Sequence, residues 1–98
     1  MQKISVKEFV KILENKMYTD QKVFISMTCG KVSMVIVKEI FEDVRSDNDG
    51  VEIVVGNDNG ISIPANAQIE WQYNDEFLMT SYYISYSNVK IEVGLWDE

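Results

Sequence analysis

Residues 68–96 read QIEWQYNDEFLMTSYYISYSNVKIEVGLW, and this stretch decides the fold class. Ile69, Trp71 and Tyr73 alternate with Gln68, Glu70 and Gln72. Side chains two residues apart share one face of a strand, so this pattern gives one apolar and one wet face. Asn74-Asp75-Glu76 has the composition of a turn, since Asn and Asp hydrogen-bond nearby backbone and tolerate left-handed geometry. A longer strand is predicted from Phe77 to Tyr86, then a tight reversal at Ser87-Asn88. In the returning strand Val89, Ile91, Val93 and Leu95 alternate with Lys90, Glu92 and Gly94. The end of the chain is therefore an antiparallel hairpin.

Reading backwards, Val51–Val55 and Ile61–Ile63 are two short strands around Asn57-Asp58-Asn59-Gly60. Asn-Gly at such a point is a hairpin signal, because both residues accept positive φ. Pro64 ends the second strand or places it at an edge. Ser46-Asp47-Asn48-Asp49-Gly50 is a loop by composition. Val23–Thr28 and Val32–Val37 read as strands around a Cys29-Gly30-Lys31 turn. Residues 37–45 are ambiguous. Val37, Ile40, Phe41 and Val44 have helical spacing, yet a long bent strand with a bulge near Glu39-Ile40 is the favoured reading.

The N-terminal segment breaks the strand pattern. Ser5 and Glu8 have the spacing of a capping box, with Ile4 and Phe9 as a hydrophobic staple. Val6, Val10, Leu13 and Met17, flanked by Phe9 and Ile12, make an apolar stripe at helical spacing. A helix is predicted over 5–17 and a β-rich part over 22–96. The fold class is α+β in a single domain, residues 1–98. The N-terminal helix packs on a strongly curved, mostly antiparallel sheet or small barrel of about six strands in meander order. Adjacent Tyr82 and Tyr83 must point to opposite faces of their strand, so one face of the terminal hairpin carries a Tyr either under the helix or exposed.

The 98 residues carry a net charge of −7, distributed unevenly. Residues 1–45 hold eight of the nine basic side chains against six acids; residues 46–98 hold Lys90 against ten acids. Acid of that density favours an electropositive partner and disfavours direct nucleic-acid binding, whose affinity comes largely from phosphate contacts. The rival explanation is that acidic loops keep a β-rich half soluble.

Several chemistries are excluded. There is no His, which removes the usual general base and the Ser-His and Cys-His nucleophile pairs. Cys29 is single, so no intramolecular disulfide forms, and no basic side chain but Lys31 lies close to it in sequence. An EF-hand frame on Gly50 puts Arg45 first and Gly56 twelfth; a frame on Gly60 puts Val55 first and Asn66 last. Both lack the ligands such a loop requires. The glycines are scattered and form no phosphate cradle. No apolar run approaches the length of a membrane helix, and no segment resembles a signal peptide. The expectation is a cytoplasmic protein with no catalytic residues, no metal and no cofactor.

The order of helix, Val23–Thr28, Gly30, bent strand, Val51–Val55 and Ile61–Ile63 resembles that of Sm-like and SH3-like small barrels, without the basic residues by which Sm-like proteins hold RNA. In composition the chain is similar to phage-encoded inhibitors that mimic DNA, among them anti-CRISPR proteins. The leading expectation is a non-enzymatic, acidic inhibitor docking on a basic, nucleic-acid-binding surface of a partner protein. Its candidate binding residues are Asp47, Asp49, Glu52, Asp58, Glu70, Asp75, Glu76, Tyr82 and Tyr83. The carboxylates stand in for phosphates and the aromatics anchor the contact. The alternatives are a self-associating structural subunit, forming a homo-oligomer, and a small-ligand binder or enzyme of unknown type.

Overall fold

A computed structural model of the chain describes residues 2–17, 22–40, 43–54 and 60–96. Ser5 and Glu8 form the reciprocal cap: the Glu8 N–H donates to Ser5 Oγ at 3.1 Å, and the Ser5 N–H to Glu8 Oε1 at 3.4 Å. Two backbone groups that would otherwise face water unpaired are thereby satisfied. The helix α1 follows as Val6–Met17. Its buried face centres on Phe9 and Leu13, one turn apart, with Val10 beside them. This face packs mainly against strand β4 (Asp43–Asp47), with smaller contacts to β5 (Gly50–Val54) and β7 (Gln68–Asn74). Phe9 also meets Tyr82, ring centroids 5.1 Å apart and planes inclined by 49°.

Two antiparallel sheets replace the expected single curved sheet or barrel, and the larger is not closed. The larger sheet holds six strands in the order β1-β7-β8-β9-β2-β3. Its members are β1 (Gln2–Ile4), β2 (Lys22–Cys29), β3 (Val32–Ile40), β7, β8 (Met79–Tyr86) and β9 (Val89–Trp96). The smaller holds β4, β5 and β6 (Gly60–Pro64) in that order. Strand order is thus not a simple meander. β9 folds back beside β2, and the three-residue β1 adds to β7 with Ile4 opposite Ile69.

Cross-strand register explains the core. Trp71, Tyr82, Val93 and Ile25 lie opposite one another in sequence across four strands, as do Ile69, Ile84, Ile91 and Met27. These two rows form the inner face of the six-stranded sheet. Val51, Ile53, Ile61 and Ile63 of the smaller sheet complete the core with the helix. The terminal hairpin holds as read, with Tyr82 inside and Tyr83 outside. Its start is corrected: residues 75–78 are a turn and the strand begins at Met79, so Phe77 and Leu78 are not strand residues. Asn74 holds that turn, its Oδ1 accepting the N–H of Glu76 at 3.0 Å and of Phe77 at 3.3 Å.

The ambiguous 37–45 segment is strand on both sides of 41–42, β3 running to Ile40 and β4 starting at Asp43. The register of β3 on β2 slips where Val23 pairs Glu39 and Phe24 pairs Val37. Lys38 is the extra residue, one position from the expected bulge. The loop expected at 46–50 is tighter than read, because strand extends to Asp47 and resumes at Gly50. The Asn57–Gly60 turn lies mostly outside the described residues, as does the break at Tyr18-Thr19-Asp20. The pairing of Val54 with Gly60 nevertheless makes β5 and β6 an antiparallel hairpin.

Candidate functional site

The sequence fixes where the β4–β5 hairpin carries its charges. In β4 and β5 the apolar Val44, Val51 and Ile53 take the core side. Arg45 and Glu52 are direct cross-strand partners, and Ser62 of β6 is opposite Glu52, so these three form one row on the other side. Arg45 Nε bonds Asp43 Oδ2 at 3.0 Å, and its Nη1 lies 3.7 Å from Glu52 Oε1. All three side chains are well exposed, a setting in which ion pairs add little stability. At the turn, Asp47 Oδ1 accepts the Asp49 N–H at 2.8 Å, the local bond that makes Asp favourable there.

Above this hairpin is an open cleft of about 620 Å³, lined by Arg45, Asp47, Asp49, Glu52, Ser62 and Tyr86 among others. Tyr86 comes from the larger sheet, and its hydroxyl donates to the Ser62 carbonyl oxygen at 3.0 Å. That bond ties the end of β8 to β6 and fixes one wall of the cleft. Partial burial raises the Tyr86 phenol above its ordinary pKa of 10.0, and electrostatic repulsion from the nearby Cys29 sulfur adds to the rise. Among the described residues the cleft thus has three carboxylates along it against one guanidinium, and that guanidinium is already held by Asp43 and Glu52. Chemically it suits a cationic side chain, with the Tyr86 ring and Pro64 as apolar walls.

The other described candidate residues do not join this cleft. Glu70 lies on the outer face of the larger sheet, with Tyr83 opposite it and Glu92 opposite Tyr83. Tyr83 is 38% exposed there. Asp75 and Glu76 occupy the β7–β8 turn. Tyr82 belongs to the core, 6% exposed with its ring tilted against that of Phe9. Asp58 lies outside the described residues. Arg45 and Tyr86 fall outside the residues that the charge pattern and the Tyr82–Tyr83 pair single out, since Arg45 is basic and only the fold brings Tyr86 to β6.

A second groove of about 590 Å³ runs between α1 and the β4–β5 turn. Lys7, Lys11, Glu14, Asp47 and Asn48 line it over the apolar Val6, Val10 and Ala65. The charge asymmetry along the chain is therefore not a clean separation in space, since helix lysines share this groove with Asp47. Among the described residues, no group of three or more His, Cys, Asp and Glu side chains is arranged to hold a metal ion. No helix among them is long and apolar enough to cross a membrane. Comparison with known protein families, with curated proteins and with solved structures finds no match for this chain.

Proposed function

We propose that this chain is a non-enzymatic interaction protein whose acidic β4–β5 hairpin docks on a basic surface of a partner protein. The observation that carries the reading is the placing of Asp47, Asp49 and Glu52 along one cleft in which, among the described residues, Arg45 is the one cation and is already engaged by Asp43 and Glu52. An arginine or lysine of the partner enters this cleft and finds carboxylates with an aromatic wall, a combination that recognises cations. The surface such a protein fits is one built to bind phosphates, so the module acts as an inhibitor that competes with nucleic acid. This is the mode the compositional likeness to DNA-mimicking phage inhibitors implies. The separate positions of Glu70 and of Asp75 with Glu76 argue for a local contact at the hairpin, not a carboxylate array spanning all of these positions.

An oligoarginine peptide is the probe that tests the reading. Asp47→Asn, Asp49→Asn and Glu52→Gln together keep shape and hydrogen-bond acceptors while removing charge. Binding of the peptide weakens by about tenfold or more in the triple variant, and its salt dependence flattens. Equal affinity and equal salt dependence in the two proteins contradict the proposal.

A second reading, a self-associating subunit, is favoured by β3. This nine-residue strand is at the edge of its sheet. Val32 and Val35 on it are 71% and 58% exposed. Long apolar edges are templates for pairing with another strand. Val35→Lys abolishes any concentration-dependent assembly that uses this edge.

A further inference from the structure

The β7–β8 turn combines two features that folding alone does not reward. Phe77 and Leu78 are 60% and 52% exposed, side by side at the tip. Leu78 also has φ of +50°, a left-handed conformation that is an outlier for a bulky side chain and is usually given to Gly or Asn. The turn is not loose, since Asn74 Oδ1 accepts two of its backbone N–H groups. A strained backbone thus holds two apolar side chains out in water, with Asp75 and Glu76 immediately before them. Among the described residues neither acid forms an ion pair. Strain held in place by hydrogen bonds, next to exposed apolar groups, marks a functional surface.

The complement of this tip exists on the same molecule. The groove between α1 and the β4–β5 turn has an apolar floor of Val6, Val10 and Ala65, with Lys7 and Lys11 on the helix. Neither lysine forms an ion pair among the described residues. At about 590 Å³ the groove has room for both the Phe77 and Leu78 side chains. Glu14 and Asp47 also line it, so only a pose that brings Asp75 and Glu76 to the lysine side is favourable.

We propose that the Phe77–Leu78 tip of one copy seats in the α1/β4–β5 groove of a second copy, with Asp75 and Glu76 paired to the partner's Lys7 and Lys11. Apolar groups meet an apolar floor, and acids meet lysines, none of which forms an ion pair among the described residues. The occupant is thereby specified in both charge and hydropathy. If two copies exchange tips about a two-fold axis the contact is made twice and closes as a dimer. The inference is independent of the docking of the acidic hairpin on a basic partner, although Asp47 borders both the groove and the acidic cleft.

Analytical ultracentrifugation of the full chain from micromolar to submillimolar concentration tests it. The wild type shows concentration-dependent dimerisation. Phe77→Ser with Leu78→Ser weakens association by about tenfold or more, as expected when a central apolar anchor is lost. Asp75→Lys with Glu76→Lys abolishes it, as does Lys7→Glu with Lys11→Glu, and combining the two charge reversals in one chain restores it. Circular dichroism confirms that every variant is folded, which these exposed positions permit. A wild type that stays monomeric throughout overturns the proposal. So does a dimer unaffected by the tip substitutions but lost in Val35→Lys, which assigns association to the β3 edge. Oligoarginine binding by the tip variant remains at the wild-type level, so failure here is separable from failure of the hairpin reading.

Discussion

Replacing Gly50 by Ala is the substitution the structure condemns most clearly, and its cost can be built from geometry. Gly50 opens β5 opposite Pro64 and has φ of +148°, backbone that a side chain rarely tolerates. A Cβ at this point collides with the Ile63 carbonyl oxygen and approaches Pro64 Cα at 2.9 Å. Both are backbone atoms of the adjacent strand, so no rotamer change relieves the clash. Forcing an L-residue into such a region costs about 1–3 kcal/mol, and overpacking against fixed atoms adds about 1–3 kcal/mol. The expected loss is roughly 3–4 kcal/mol, which for a domain of this size lowers the Tm by roughly 15–20 °C.

The assay is thermal and urea denaturation followed by circular dichroism, with two internal controls. A Cβ on Gly94 meets the Met79 Sδ at 2.6 Å, the far part of a flexible side chain that can move away. A Cβ on Gly30 meets nothing within 4 Å, although its φ of +61° still disfavours Ala. Each control costs about 1 kcal/mol. Gly50→Ala within about 1 kcal/mol of wild type, or less damaging than Gly94→Ala, refutes the close approach of β5 and β6. Gly50 and Pro64 also line the acidic cleft, so the same substitution disturbs the proposed docking surface.

Other expectations follow from the same contacts. Phe9→Ala empties a fully buried site against Tyr82, and equilibrium urea unfolding registers a loss of about 3–5 kcal/mol. Ser5→Ala removes the side-chain half of the helix cap and costs about 1 kcal/mol by the same method, with reduced far-ultraviolet helix signal. Tyr86→Phe loses the bond to Ser62, worth about 0.5–1.5 kcal/mol at neutral pH. Because folding raises the Tyr86 pKa above 10.0, the neutral phenol is favoured in the folded state. Its contribution is fully present below about pH 10 and is lost as pH rises through the folded-state value. Urea unfolding at pH 8 and at pH 11 therefore shows a larger alkaline loss in wild type than in Tyr86→Phe.

Local signals carried much of this architecture, and non-local ones did not. The Ser5–Glu8 spacing specifies its own hydrogen bonds, so the start of α1 was legible to within a residue. Period-two alternation likewise placed β7 and β9 and sent Tyr82 and Tyr83 to opposite faces. β1 was invisible because three residues, Gln2–Ile4, carry no period and gain their structure only by adding to β7. The pairing of β9 with β2 depends on contacts across sixty or more positions of sequence. No periodicity encodes such contacts. A strand from Phe77 follows from placing the turn at Asn74-Asp75-Glu76 alone, whereas the Asn74 side chain holds a turn that runs on through Leu78 and leaves Phe77 and Leu78 in water. In the candidate site, composition identified the acids of the hairpin, but the Tyr86 wall arises only when β8 meets β6.

Backbone amide chemical shifts during titration with an oligoarginine peptide test the central claim most directly. The account expects the largest shifts at Arg45–Glu52 and Ser62–Pro64, shrinking as salt is raised. Shifts of equal size at Glu70, Asp75, Glu76 and Glu92, or none at the β4–β5 cleft, contradict it.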